Sequence, residues 1–151
     1  MSEREAQLCV LEVGGEHYVV DLKRVEEILP VQPLTPVPKA PAFLEGVVKL
    51  RGEVVPVVDV RRRLGVQPAA VATPGPRVRR RERMVVCRLG RRRVGFLVDA
   101  VTKVLRVDRA ALQPAPLSVR PGHRPHVLGV VGEPGALKLM LDLLSLVTED
   151  A

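Results

Sequence analysis

Residues 46–60 read G-V-V-K-L-R-G-E-V-V-P-V-V-D-V, and residues 129–143 read G-V-V-G-E-P-G-A-L-K-L-M-L-D-L. At a constant offset of 83, Gly46 matches Gly129, Gly52 matches Gly135 and Asp59 matches Asp142. Each copy reads as strand, glycine turn, strand, acidic stop. Valine-rich runs of four to eight residues suit buried strands better than helices. A supersecondary unit repeated in the same order points to a duplicated β protein.

A second match lies upstream. Tyr18-Val-Val-Asp21 resembles Phe96-Leu-Val-Asp99 at an offset of 78, and Leu8-Cys9-x-Leu11 resembles Val86-Cys87-x-Leu89 at the same offset. The change from 78 to 83 implies about five inserted residues in the second half. Two units are expected, one over about 8–65 and the other over about 84–147. The stretch 66–82, with Pro68, Pro74, Pro76 and an arginine run, reads as a flexible linker loop.

Working outward, Gly14-Gly15 between 8–13 and 16–21 signals a hairpin. Leu22 to Glu27 reads as one helical turn. Five prolines between Pro30 and Pro41 remove backbone donors and predict a loop or an edge. Strands over 44–50 and 53–58 flank Gly52, after which Asp59 caps a short helix that Gly65 ends. The second half repeats the plan near 84–89, 93–98, 101–107, 127–132 and 136–142, with a final helical turn at 143–147. About five short strands per half, and no long helix, predict an all-β protein of two small closed barrels, since closure removes exposed sheet edges.

The 151 residues are 46% hydrophobic but only 2% aromatic. No apolar run reaches membrane-spanning length. The charged start Met-Ser-Glu-Arg-Glu lacks an apolar signal core, so no secretion is expected. Cys9 and Cys87 sit inside Val/Leu strands and read as small buried residues, reduced in a cytoplasmic setting. The net charge of +7 is concentrated in Arg61–Arg63, in Arg77–Arg83 and in Arg91–Arg93. Such runs suit nucleic acid or solvated loops alike. Tyr18, Phe43 and Phe96 are the only aromatics, too few for a base-stacking platform. A basic small-barrel nucleic-acid-binding protein is therefore the alternative reading.

Catalytic motifs are missing. There is no phosphate-binding glycine loop, no nucleophile elbow and no zinc-protease signature. His17 neighbours a hairpin turn and reads as exposed. His123-x-x-His126 has no acidic or cysteine residues nearby to complete a ligand set. Asp21, Asp59, Asp99 and Asp142 read as strand ends or helix caps. The expectation is no enzyme, no cofactor and no metal.

The stretch Pro41-Ala-Phe-Leu-Glu-Gly-Val-Val-Lys-Leu-Arg-Gly-Glu-Val-Val-Pro-Val-Val-Asp-Val-Arg61 resembles the signature of CheW-type coupling proteins of bacterial chemosensory systems. Val25-Glu-Glu-Ile28, Gly95-Phe-Leu-Val-Asp-Ala-Val-Thr-Lys-Val-Leu105 and Leu139-Met-Leu-Asp-Leu143 are similar to further family motifs, so the resemblance covers about 8–147. It implies two five-stranded barrels of SH3-like type in a non-catalytic cytoplasmic adaptor. It implies two partners: the regulatory domain of a CheA-type histidine kinase and the cytoplasmic tip of a methyl-accepting chemoreceptor.

The resemblance also implies site residues. For the receptor these are Val25, Glu27, Ile28, Gly46, Arg51 and Val104, with Glu27 and Arg51 as a forked ion pair bracing a groove. For the kinase the resemblance implies barrel-end strands and loops of both halves, and Phe43 and Leu44, beside a proline turn, are the candidate apolar contact. The residues alone leave other roles open: core burial for Ile28 and Phe43, and a β-bulge or close backbone approach for Gly46. Lys49, Lys103 and the arginine run depart from the family pattern and add positive charge near these surfaces, which suggests charge-matched partners.

Overall fold

The computed structural model describes residues 4–65, 81–115, 119, 123–132 and 136–148. Its strands are β1 (Glu5–Val13), β2 (Glu16–Asp21), β3 (Val25–Pro30), β4 (Leu44–Leu50), β5 (Glu53–Asp59), β6 (Arg83–Leu89), β7 (Arg92–Val98), β8 (Ala100–Asp108), β9 (Val127–Val131) and β10 (Lys138–Leu141). Two short helices, α1 (Val60–Leu64) and α2 (Leu143–Leu146), follow β5 and β10. Asp59 and Asp142 cap them, each accepting a backbone N–H from the first turn, and Gly65 ends α1 with φ 68°. These caps and strands match the sequence expectation. The expected helical turn over 22–27 shortens to a 3-10 turn at Leu22–Arg24, because Val25–Pro30 pairs with β6 as a strand.

The strands form two five-stranded sheets, ordered β8-β1-β2-β10-β9 and β3-β6-β7-β5-β4. Each closes into a barrel through one bridge, Gln113 to Val130 in the first and Thr35 to Val47 in the second. The barrels do not follow the sequence halves 8–65 and 84–147. Each half gives its first two strands to one barrel and its next three to the other. The hairpins are local, but β2 joins β10 and β5 joins β7 in parallel across the halves. Residues 66–80 of the expected linker lie outside the described residues.

This exchange explains the valine-rich strands. On β1, Leu8 and Val10 fill one barrel with Val19 and Val131, whereas Cys9, Leu11 and Val13 face a central core between the barrels. On β6, Met84 and Val86 fill the other barrel, and Val85 and Cys87 face the same central core. Strands buried on both faces need apolar residues at successive positions, not alternate ones. Cys9 and Cys87 are fully buried. Burial raises both thiol pKa values, that of Cys87 to about 12.

The pairing also corrects the upstream repeat. The turn glycine Gly14 corresponds to Gly90, and the pairs Leu11 to Val101 and Cys9 to Val104 correspond to Cys87 to Val25 and Val85 to Ile28. The true upstream offset is therefore 76, and seven residues, not five, separate the two offsets. A slip of two leaves every side chain on its proper face, so alternation in the sequence could not exclude it. The downstream offset of 83 holds. The pairs Leu44 to Val58 and Gly46 to Val57 recur as Val127 to Leu141 and Gly129 to Met140, bulge included.

Candidate functional site

Of the residues expected to meet a receptor, the structure joins Glu27 and Arg51. Arg51 (φ 50°) and Gly52 (φ 82°) form the two-residue turn of the β4–β5 hairpin. Positive φ at both turn positions matches the twist of the flanking strands. The turn projects the Arg51 guanidinium toward β3. There Nη2 donates to Glu27 Oε1 at 2.7 Å and Nη1 donates to Oε2 at 3.1 Å. The fork is bidentate, the geometry that best matches guanidinium to carboxylate.

The fork belongs to a wider network that the sequence did not disclose. Arg88 and Arg93 lie directly opposite each other on β6 and β7, an arrangement that repels unless an anion intervenes. Glu26 supplies that anion and accepts from both Nε atoms. Arg93 also donates to Glu53 at 3.1 Å and lies 3.6 Å from Glu27. Hydrogen bonding from Arg88, then from Arg93, holds the Glu26 carboxyl below its ordinary range against the opposing effect of desolvation. Together these groups line an open polar concavity of about 580 Å³ at one end of the barrel.

Beside this network, Ile28 stands 40% exposed on the outer face of β3, while Val25 is half-buried against the central core. Val104 is 49% exposed on β8, in the other barrel. The 76-residue offset makes Ile28 and Val104 counterparts, so the duplicated fold displays one apolar side chain at the same place on each barrel.

Gly46 has a defined structural role. It lies at the β4 bulge beneath the bridge that closes the barrel, where Thr35 and Val47 exchange hydrogen bonds of 2.9 Å. A Cβ there would come within 2.5 Å of the Thr35 carbonyl oxygen. Phe43 and Leu44 are half-buried in an apolar cleft of about 310 Å³ that is also lined by Leu144 of α2 and by Val147 just after it. The Arg63 guanidinium covers the Phe43 ring at 4.5 Å. The deeply buried aromatics are Tyr18 and Phe96.

Among the described residues, several arginines of the basic clusters are engaged. Arg61 bonds Asp59 and, at 2.9 Å, Asp99, whose other oxygen accepts from Gly14 N–H at 2.7 Å. This ties α1 of one barrel to the β1–β2 turn of the other. Arg62 pairs with Glu45, and Arg63 donates to the backbone carbonyls of Leu146 and Thr148. Arg81 pairs with Glu12. These arginines are held within the protein, whereas Arg91 and Arg92 at the β6–β7 turn are exposed. Arg77, Arg79 and Arg80 lie outside the described residues.

Among the described residues, no group of three or more His, Cys, Asp and Glu side chains could hold a metal. His123 and His126 are buried; His126 Nδ1 lies 2.9 Å from Ser145 Oγ, and His123 meets Tyr18 edge-on. His17 is exposed. No described helix is long and apolar enough to cross a membrane.

Comparison with known proteins agrees with this architecture. The chain is 36% identical over 137 residues to the chemotaxis protein CheW of Rhizobium meliloti, covering 91% of this chain and 84% of that one. It is 34% identical over 131 residues to protein FrzA of Myxococcus xanthus, covering 87% and 77%. The crystal structure of the scaffolding protein TtCheW from Thermoanaerobacter tengcongensis superposes with a TM-score of 0.83 at 23% identity, over 99% of this chain and 92% of that one, and so shares the SH3-like double-barrel fold. Residues 7–151 match the CheW-like domain, and the chain belongs to that family.

Proposed function

We propose that this protein is a non-catalytic adaptor that couples the cytoplasmic tips of chemoreceptors to a CheA-type histidine kinase, working in the cytoplasm and recruited to receptor arrays. The observation that carries this reading is the Glu27–Arg51 fork, set beside exposed Ile28 on the barrel end. An ion pair that braces a hairpin tip holds a docking surface in one shape, which lowers the ordering cost of binding. Val25, Ile28 and Val104 supply apolar contacts for a receptor helical hairpin, and Gly46 shapes the strand that carries the fork. Phe43 and Leu44 offer the apolar cleft to the kinase regulatory domain. Each contact is modest, and a repeating array gains its strength from multivalency.

Co-sedimentation tests the reading. A receptor cytoplasmic fragment, a CheA-type kinase and this protein are mixed and pelleted, and each is omitted in turn. The expected result is kinase in the pellet only when this protein is present. Kinase that pellets equally well without it would end the coupling reading.

A further inference from the structure

The duplication lets a surface position be compared with its counterpart in the same molecule. In the first copy, Glu45 pairs with Arg62, and Arg61 is bound to Asp59 and Asp99. The 83-residue offset carries Glu45, Arg61 and Arg62 onto Leu128, Leu144 and Ser145. Leu128 is 54% exposed and Leu144 63% exposed. One copy seals this junction with paired charges. The other presents two leucines.

Those leucines border a cleft of about 400 Å³ between β9, β10 and α2 of one barrel and the β6–β7 turn of the other, where Leu89 and Gly90 form the facing wall. Its size falls in the range of pockets that hold side chains or small ligands, roughly 300–1,000 Å³. Leu89 and Leu144 also line the Phe43 cleft.

The charge of the cleft narrows the choice of occupant. Asp21 and Asp142 both line it. Each engages Oδ1 with a capping N–H, from Lys23 and Ser145 respectively, and among the described residues neither Oδ2 has a hydrogen-bond partner. In the first copy the counterpart of Asp142, Asp59, turns its Oδ2 to the Arg61 guanidinium. Leu144 cannot do this for Asp142. Asp99 has Lys23 as its positional counterpart, and Asp21, two residues earlier, brings a carboxylate to the cleft instead. Exposed Arg24 also lines the cleft, but no hydrogen bond or ion pair joins it to either aspartate among the described residues.

We propose that this cleft docks a protein segment presenting an arginine between apolar residues. The guanidinium sits by Asp142 as Arg61 sits by Asp59, and the flanking side chains cover Leu128 and Leu144. Arginine is enriched at interface hot spots, and a guanidinium forked to a carboxylate inside an apolar border loses its water as the partner docks. This contact is separate from the Glu27–Arg51 surface and independent of receptor coupling, but it shares Leu89 and Leu144 with the cleft proposed for the kinase.

The probe is acetyl-Leu-Arg-Leu-amide, titrated into the ¹⁵N-labelled full chain while backbone amide shifts are followed. Saturable shifts are expected at residues 21–24, 89–92, 128 and 141–145. The Leu-Lys-Leu and Leu-Ala-Leu peptides should bind several-fold more weakly, and Asp142→Asn, which keeps a capping side chain, should weaken Leu-Arg-Leu by roughly tenfold. Leu144→Arg supplies the guanidinium from the chain itself, as the first copy does, and should abolish peptide binding. If that variant fails to fold, Asp142→Asn and the peptide series still decide. Equal binding of Leu-Ala-Leu, undiminished binding to Asp142→Asn, or the absence of saturable shifts would each overturn the proposal. Shifts at these amides with rising protein concentration alone would assign the cleft to a second copy, and would also overturn it.

Discussion

Gly46 and Gly129 hold the same place in the two barrels: each lies beneath the segment that closes its sheet. A Cβ on Gly46 would strike the Thr35 carbonyl, and one on Gly129 would strike the Gln113 carbonyl. The closing bridges match as well, with paired bonds of 2.9 Å between Thr35 and Val47, and of 2.9 and 2.8 Å between Gln113 and Val130. The backbone cannot retreat without opening the barrel. Gly46→Ala and Gly129→Ala should therefore each cost about 1–3 kcal/mol by urea denaturation, as overpacked sites do. If Gly46→Ala instead kept full stability while losing receptor binding, Gly46 would be a contact residue and not a closure residue.

Arg51 offers a test that separates the fold from the proposed coupling. Its side chain is 72% exposed, so the pair with Glu27 contributes roughly 0–1 kcal/mol to stability. Its φ of 50° is one that glycine adopts without strain. Arg51→Gly should leave the folding free energy within about 1 kcal/mol of the parent, and Arg51→Glu should also stay folded. Both should weaken receptor coupling. A circular dichroism melt showing global unfolding in either variant would make Arg51 a fold residue.

Arg61 should behave in the opposite way. Asp59 and Asp99 are 6% and 8% exposed, and the guanidinium is their shared counterion. Burial by itself would lower the Arg61 pKa, but hydrogen bonding to Asp59 and the nearby carboxylates hold it above the ordinary value. Arg61→Met leaves two buried carboxylates unpaired and should cost about 2–4 kcal/mol. Denaturant midpoints of Arg61→Met and Arg51→Gly, measured side by side, check the contrast.

Alkali should loosen the fold through Cys87. Its thiol pKa is raised from 9.0 to about 12, first by burial and then by Cys9 and Glu26. The folded state keeps this proton more tightly than the unfolded chain does. Stability is therefore complete below pH 9 and declines as pH rises toward 12, by about 1 kcal/mol at pH 10. The Cys9 thiol is shifted in the same direction. Cys87→Ala should flatten this alkaline decline in denaturant midpoints, and native protein at pH 8 should resist thiol reagents that modify both cysteines in urea.

Lys103 tests charge matching. It is exposed on β8 next to Val104. If partners carry compensating acids, Lys103→Glu should reduce affinity for the matched receptor and kinase, most strongly at low salt. Unchanged affinity by titration would remove the idea.

Much of the fold was legible because its signals are local. Asp59 and Gly65 bracket α1, Gly14-Gly15 turns the first hairpin, and Gly46 with Gly129 marks the repeat. The Glu27–Arg51 pair was reached through family resemblance. Arg88, Arg93 and Glu26 were not, because nothing in the sequence says that β3 lies beside β6. The Val25–Pro30 strand was missed for the same reason. Its strand character comes from pairing with β6, and its own turn-like flanks hid it.

The sequence by itself determined that this is a duplicated β protein, where its hairpins turn, which aspartates cap its helices and which family it resembles. Only the tertiary structure decided which copy's strands share a barrel, the true upstream offset of the repeat, and the fate of the arginines. The physical reason is range. Turn, cap and alternation signals act within a few residues. A pairing between β2 and β10 or between Arg61 and Asp99 is chosen by burial and charge neutralisation among segments far apart in the chain.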